Sequence, residues 1–158
     1  LVPFMQQIGI PPLQAHFFVF YFAVFSTLTP PVAVSVLAAA KLGEATFLST
    51  AKDAMKIALT TFIIPFAFVF SPELMLFPHV TWGTMLAVVE VVFVQLAVSV
   101  ASYGFLIRSL NGFERGVYAF VALSGFLGFT YDSNFWYVAV ALFMLISGYV
   151  FVSNKTQK

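Results

Sequence analysis

The sequence contains no cysteine, which excludes a disulfide framework and a Cys-based metal site. Charge is also scarce: 8% of the 158 residues are charged, against about 25% in a typical soluble domain. There is no Walker-type phosphate loop, no H-E-x-x-H pair and no G-x-S-x-G elbow. The chain is therefore not expected to be an enzyme or to carry a cofactor. Any pumping it takes part in must run on an ion gradient or on a partner. A charged region followed by an apolar core is missing from the start, so no signal peptide is expected. Leu1 is not an initiator Met, and Leu1 to Ile8 reads as the end of an element already under way. The expectation is a piece of something longer.

Apolar residues make up 61% of the chain, 21 of them Phe. Such a chain has too few polar groups to cover a water-facing surface, so the bilayer is its expected solvent. A net charge of +1 gives no reason to expect nucleic acid as a partner. The length permits one domain at most.

The apolar runs suggest an all-α, polytopic membrane protein. His16 to Leu28 and Val32 to Ala40 are each too short to cross alone. Together they reach roughly 33 Å, close to a hydrocarbon core of about 30 Å. Thr29-Pro30-Pro31 lies between them, and proline both lacks an N–H and clashes with the preceding turn. The spacing predicts one discontinuous helix, unwound near its middle. Gly43 fits a helix C-cap, and Thr50 with Asp53 resembles a capping box. Lys41 to Lys56 reads as either an amphipathic surface helix or a solvated loop. A helix is predicted from about Ile57 to Phe70 or Phe77, with Pro65 kinking it by freeing the carbonyl of Thr61. After a connection through Ser71-Pro72-Glu73 and Pro78-His79, helices are predicted over Gly83–Ile107, Gly116–Thr130 and Phe135–Val152. The second of these is marginal as a crossing. Trp82, Tyr131, Trp136 and Tyr137 suit the water boundary.

If every run crosses once, all seven Lys and Arg fall on one side. Lys41, Lys52 and Lys56 share a loop, Arg108 and Arg115 follow two crossings later, and Lys155 and Lys158 end the chain. Glu73, His79 and Asp132 fall opposite. This asymmetry places the basic side, and the C-terminus, in the cytoplasm.

Unwound backbone at membrane depth must be satisfied by protein, water or ligand. Secondary transporters use such breaks as ion sites, through freed carbonyls and helix ends. Here the first half-helix ends among Ser26, Thr27 and Thr29, whose oxygens are hard ligands for a small cation. A plain proline kink, with these hydroxyls satisfied by their own backbone, fits the spacing equally. Glu90 is the only carboxylate inside a long apolar run, and Gln95 follows it. Such a residue marks a functional polar site or a hydrogen bond to a neighbouring helix. His16 and His79 have no second ligand group at helical spacing, so no metal site is expected there. Arg108, Glu114 and Arg115 around Asn111-Gly112 read as orientation charges with a local ion pair.

The segment from Phe20 to Ala33, with its Ser26-Thr27-Leu28-Thr29-Pro30-Pro31 core, resembles the C-terminal transport motif of fused permeases of the tripartite ATP-independent periplasmic (TRAP) transporters. The TAXI-type branch is the nearest in pattern. Ile10 to His16 and the stretch from Lys56 through Pro65 to Leu74 resemble the segments that flank it in that family. Leu110 to Arg115 and Asp132 resemble its additional C-terminal helices more loosely. The resemblance implies residues 1–76 as the end of a transport domain and residues 77–158 as an added three-helix segment. It implies a sodium-coupled importer of carboxylate-type solutes in a bacterial or archaeal inner membrane. A periplasmic binding protein would deliver the organic acid, and the rest of the permease, including its small membrane component, would complete the machine. Na⁺ would be the coupling ion, held near Thr27 and Thr29. The alternative is a structural or assembly subunit with no transport site of its own.

Overall fold

A computed structural model describes residues 1–75, 79–131 and 133–156. Pro78, Asp132, Lys158 and the side chain of Lys155, which the charge and boundary readings used, lie outside the described residues. Among the described residues the chain is helical, with no strand beyond an isolated bridge between Phe105 and Ser109. Among the described residues three stretches are long and apolar enough to cross a membrane: Phe47–Phe70, Trp82–Tyr103 and Asn134–Asn154. The chain is an all-α, polytopic membrane protein. It divides into two compact units, Leu1–Met75 and Leu76–Lys158.

The first unit contains α1 (Val2–Gln7), α2 (Pro12–Phe25), α3 (Val34–Leu42), α4 (Phe47–Thr61) and α5 (Ile63–Phe70), closed by a 3₁₀ turn at Pro72–Met75. Pro12 opens α2 at a position where its missing N–H costs nothing. The discontinuous helix is present as α2 and α3. Its break is wider than the proline pair, covering Ser26 to Ala33, and lies nearer the α3 end. By rise per residue α2 is about 21 Å long and α3 about 13 Å.

The polar stretch is neither a free loop nor one surface helix. Lys41 still belongs to α3, and a tight turn then starts α4 at Phe47. Gly43 takes the C-cap as expected, but Glu44, with φ 50°, adopts the left-handed conformation. The N-cap of α4 is Thr46, which accepts from the Ser49 N–H at 3.4 Å. Thr50 lies inside that helix, its hydroxyl donating to the Thr46 carbonyl, so the expected Thr50–Asp53 box is not formed. The turn is shorter than composition suggests because the Ala45 N–H reaches back to the Ala40 carbonyl at 2.9 Å.

α4 and α5 meet at Phe62, three residues before Pro65. A proline there cannot donate to the Thr61 carbonyl, so the ladder is interrupted where the sequence predicted a kink. α2 packs on α5 and α3 on α4, giving two antiparallel arms. Aromatic rings join the first pair. Phe18 meets Phe66, Phe17 meets Phe68, and Phe25 meets Phe62 with ring centroids 4.8 Å apart. The last contact sets the Phe62 joint beside the end of α2. Both arms are therefore interrupted at the same level.

The second unit contains α6 (Trp82–Tyr103), α7 (Gly112–Thr130) and α8 (Ser133–Thr156). α7 lies between the other two. Its buried Val121 and Ala122 meet Ala97 of α6 and Ala139 of α8. Small residues let the backbones approach. A Cβ on Gly128 would stand 2.8 Å from the Trp136 backbone nitrogen, and one on Gly125 would stand 2.8 Å from the Val94 side chain. Tyr118 is fully buried, with its hydroxyl 2.8 Å from Ser147 Oγ across the α7–α8 contact. Such interhelical bonds average about 0.6 kcal/mol in a membrane protein, so the packing carries most of the stability.

α6 ends at Tyr103 and not at Ile107. Gly104, with φ 66°, takes the left-handed conformation that ends helices, and the apolar residues after it form a loop. Arg115 lies against Gly104 and donates to the carbonyls of Ala101 and Ser102, at 3.0 and 3.1 Å. α7 starts four residues earlier than predicted because Asn111 caps it. Its side chain accepts from the Glu114 N–H while the Glu114 carboxylate accepts from the Asn111 N–H, both at 2.9 Å.

A candidate ion site at the helix break

Ser26, Thr27, Thr29, Pro30 and Pro31 all lie in the one loop between α2 and α3. The end of α2 fixes its start. The Ser26 N–H still bonds Phe22 in helical fashion, while Leu28 and Thr29 both donate to the Phe25 carbonyl, at 2.9 and 3.1 Å. The peptide between Pro30 and Pro31 is cis. Ala33 closes the loop in the left-handed region, at φ 37° and ψ 41°. It is fully buried against Val36 and Ala51. A non-glycine residue pays for that conformation, and the surrounding bonds hold it there. The Ala33 N–H donates to the carbonyls of Ser26 and Thr29, and the Ser35 N–H crosses the loop to Thr27 at 3.0 Å. The loop is thus stitched at both ends.

The three hydroxyls are bonded in the same manner. Ser26 donates to Ala23 at 2.6 Å, Thr27 to Val24 at 2.9 Å and Thr29 to Phe25 at 3.1 Å. Each proton is committed to a carbonyl of α2, as is usual for Ser and Thr in helices and at their ends. A hydroxyl oxygen has two lone pairs besides its O–H, so each oxygen keeps accepting capacity. That is the state a hydroxyl must adopt to ligate a cation. The same bonds are those of a backbone-satisfied kink, yet eight residues outside α2 and α3 exceed what a kink requires. The C-terminal end of α2, with its negative partial charge, lies under the loop. The head of α3 carries no side-chain cap.

Pro30 also lines an open groove of about 610 Å³ with Ser49, Lys52, Asp53 and Lys56 of α4. The polar stretch therefore lies along the break and not apart from it. Sequence reasoning did not single out Ala33, Ser35 or Phe62, which shape the loop. Pro65 was a signal for Phe62, whereas nothing in the letters marks Ala33 as left-handed.

Glu90 is in the second unit, half-buried on α6 and engaged with a partner. It shares a helical face with the buried Val94 and Ala97, whereas Gln95, five residues on, points to another side. Among the described residues no group of three His, Asp or Glu side chains is placed to hold a metal ion. Arg108 and Glu114 form the local ion pair, with Nη2–Oε1 at 2.6 Å and Nη1–Oε2 at 3.1 Å. The hydrogen bond from Arg108, helped by the Asn111 N–H, holds the Glu114 carboxyl below its ordinary range.

Residues 1–83 match the family model of the tripartite ATP-independent periplasmic transporter, DctM component. The chain belongs to the DctM family. The match takes in all of α1 to α5, the break included, and stops at the second residue of α6. DctM is a transporter family, which agrees with the reading that the chain is not an enzyme. The chain is thus a TRAP permease component with several membrane-crossing helices. No curated protein and no solved structure matches it.

Proposed function

We propose that the chain is part of the permease of a sodium-coupled TRAP importer of the TAXI-type branch, and that Na⁺ binds at the break between α2 and α3. The observation that supports this reading is that Ser26, Thr27 and Thr29 each spend their proton on a carbonyl of α2, which leaves lone pairs on all three oxygens. Thr27 and Thr29 are the principal side-chain ligands, with loop carbonyls completing the shell. Pro30 and Pro31 keep the chain from closing into a continuous helix that would align all its carbonyls along the axis; the carbonyls of Ser26, Thr27 and Thr29 already accept one N–H each and would use their second lone pair.

Carboxylate-type solutes are the class that the family resemblance implies, and the head of α3, which has no side-chain cap, has the polarity that favours an anion. Delivery by a periplasmic solute-binding protein, and assembly with the rest of the permease, follow from the family. The distribution of Lys and Arg supports the inner membrane, with the C-terminus in the cytoplasm. Glu90 serves as a polar contact inside the second unit, away from the loop in sequence.

The test is uptake by the complete permease and its binding protein in proteoliposomes, followed against sodium concentration. Replacing Thr27 and Thr29 by Val keeps the shape and removes the hydroxyls. The sodium requirement is expected to rise by about tenfold or more, as the loss of one or two charge-assisted contacts implies. An unaltered sodium curve would remove the site from Thr27 and Thr29.

A further inference from the structure

The open groove of about 610 Å³ beside the helix break is walled by Pro30 and by one face of α4. Lys52 and Lys56 stand one helical turn apart on that face, and both are exposed. Their long stems can therefore bring two ammonium groups to one point on the groove. Among the described residues neither ammonium has an ion pair or a hydrogen bond. Asp53 also lines the groove and is likewise unpaired. Two lysines against one aspartate leave the lining with a surplus of one positive charge.

Depth gives these charges a direction. Phe47–Phe70 is long and apolar enough to cross the membrane. With Phe70 at one edge of the hydrocarbon layer, the other edge falls about 20 residues back, near Thr50. Lys52 and Lys56 then leave the backbone within about two turns of that edge, on its hydrocarbon side. An ammonium is costly there, so each stem runs back toward the headgroups. Met55 and Leu59 line the same groove, and Leu59, on the membrane side of both lysines, is exposed. The groove is cationic at the headgroup level and apolar below it, which is the order of groups in a phospholipid.

We infer that this groove holds an anionic phospholipid, its phosphodiester between Lys52 and Lys56 and an acyl chain over Met55 and Leu59. One negative charge matches the surplus of the lining, whereas a second would stand unmatched beside Asp53. Pro30 forms part of the wall, so the lipid lies directly beside the break. The inference does not depend on the sodium site; it requires only that α4 and α5 cross the membrane.

The test uses the full-length permease, purified in detergent and stripped of lipid. Its thermal midpoint is titrated with phosphatidylglycerol, with phosphatidylcholine of the same chains, and with succinate. Phosphatidylglycerol is expected to raise the midpoint, and phosphatidylcholine, whose headgroup has no net charge, to raise it far less. K52Q/K56Q is expected to bind phosphatidylglycerol about thirtyfold more weakly, since each lysine near an anionic lipid surface is worth a factor of about five. K52R/K56R keeps both charges and should retain the response. K41Q removes a lysine outside the groove and should leave the response unchanged. An equal rise with both lipids overturns the proposal, as does an undiminished response in K52Q/K56Q or an equal loss in K41Q. A rise with succinate alone, abolished in K52Q/K56Q, also overturns it and assigns the groove to a soluble carboxylate. Should K52Q/K56Q fail to fold, K52Q and K56Q taken singly are each expected to weaken binding about fivefold. No change in either then overturns the proposal.

Discussion

The two units use the same apolar alphabet and organise it in opposite ways. In the first, both arms are interrupted, at Ser26–Ala33 and at Phe62, and backbone bonds that leave the helical pattern hold the interruption together. In the second, α6, α7 and α8 run unbroken and are held by close approach at Gly125 and Gly128. A break exposes backbone polar groups that an ion can use, while a continuous helix hides them all. The comparison teaches that the unit which gives up helical bonds is the one with backbone groups to offer, and the proposed ion site lies there. The family match, which covers the first unit and little of the second, falls on the same side of that line.

The sharpest way to test the contrast is to attack the close packing. Gly128→Ala would drive a methyl into the backbone of Trp136, which cannot swing aside as a side chain can. A loss of about 3 kcal/mol is expected, at the upper end for overpacking, and is read as a lower unfolding midpoint in detergent. A smaller effect is expected at the break itself. Ala33→Val puts a β-branched residue at φ 37° and should cost about 2 kcal/mol, whereas Ala33→Gly should cost no more than about 1 kcal/mol. Equal effects of Val and Gly would mean that the left-handed conformation does not matter.

The smallest effect is one of pH, and it tests whether the second unit also relies on charge. Because the folded state holds the Glu114 carboxyl below its ordinary range, its contribution is fully present above the unfolded value of about 4.3. It is lost as pH falls below that value and through the depressed folded one. The thermal midpoint should therefore drop on acidification below about pH 5. Glu114→Gln should flatten that part of the profile, and a parallel fall in both proteins would assign the acid sensitivity elsewhere.

Much of this was readable in the letters, because the strongest signals are physical ones. Pro30-Pro31 and Pro65 interrupt helices whatever their surroundings, and long apolar runs need a bilayer. The pairing of Arg108 with Glu114 followed from two opposite charges near one turn. The limits of the elements were less visible. Phe105, Leu106 and Ile107 read as more helix because hydropathy cannot register that Gly104 has turned left-handed. The width of the break was hidden for a similar reason: Ala33 is an ordinary helix former, placed in its conformation by bonds from other residues. At the candidate site the residues were legible but their orientation was not. Only the folded chain shows that three hydroxyl protons are each spent on a carbonyl of α2, or that Phe62 stands beside Phe25.

Arg115 closes the carbonyl end of α6 from the first turn of α7, a reach of about a dozen residues. Closing so short a loop costs little entropy. The consequence lies in biosynthesis: α6 and α7 can lock into a hairpin while α8 is still being synthesised, and the last helix then inserts against a finished template.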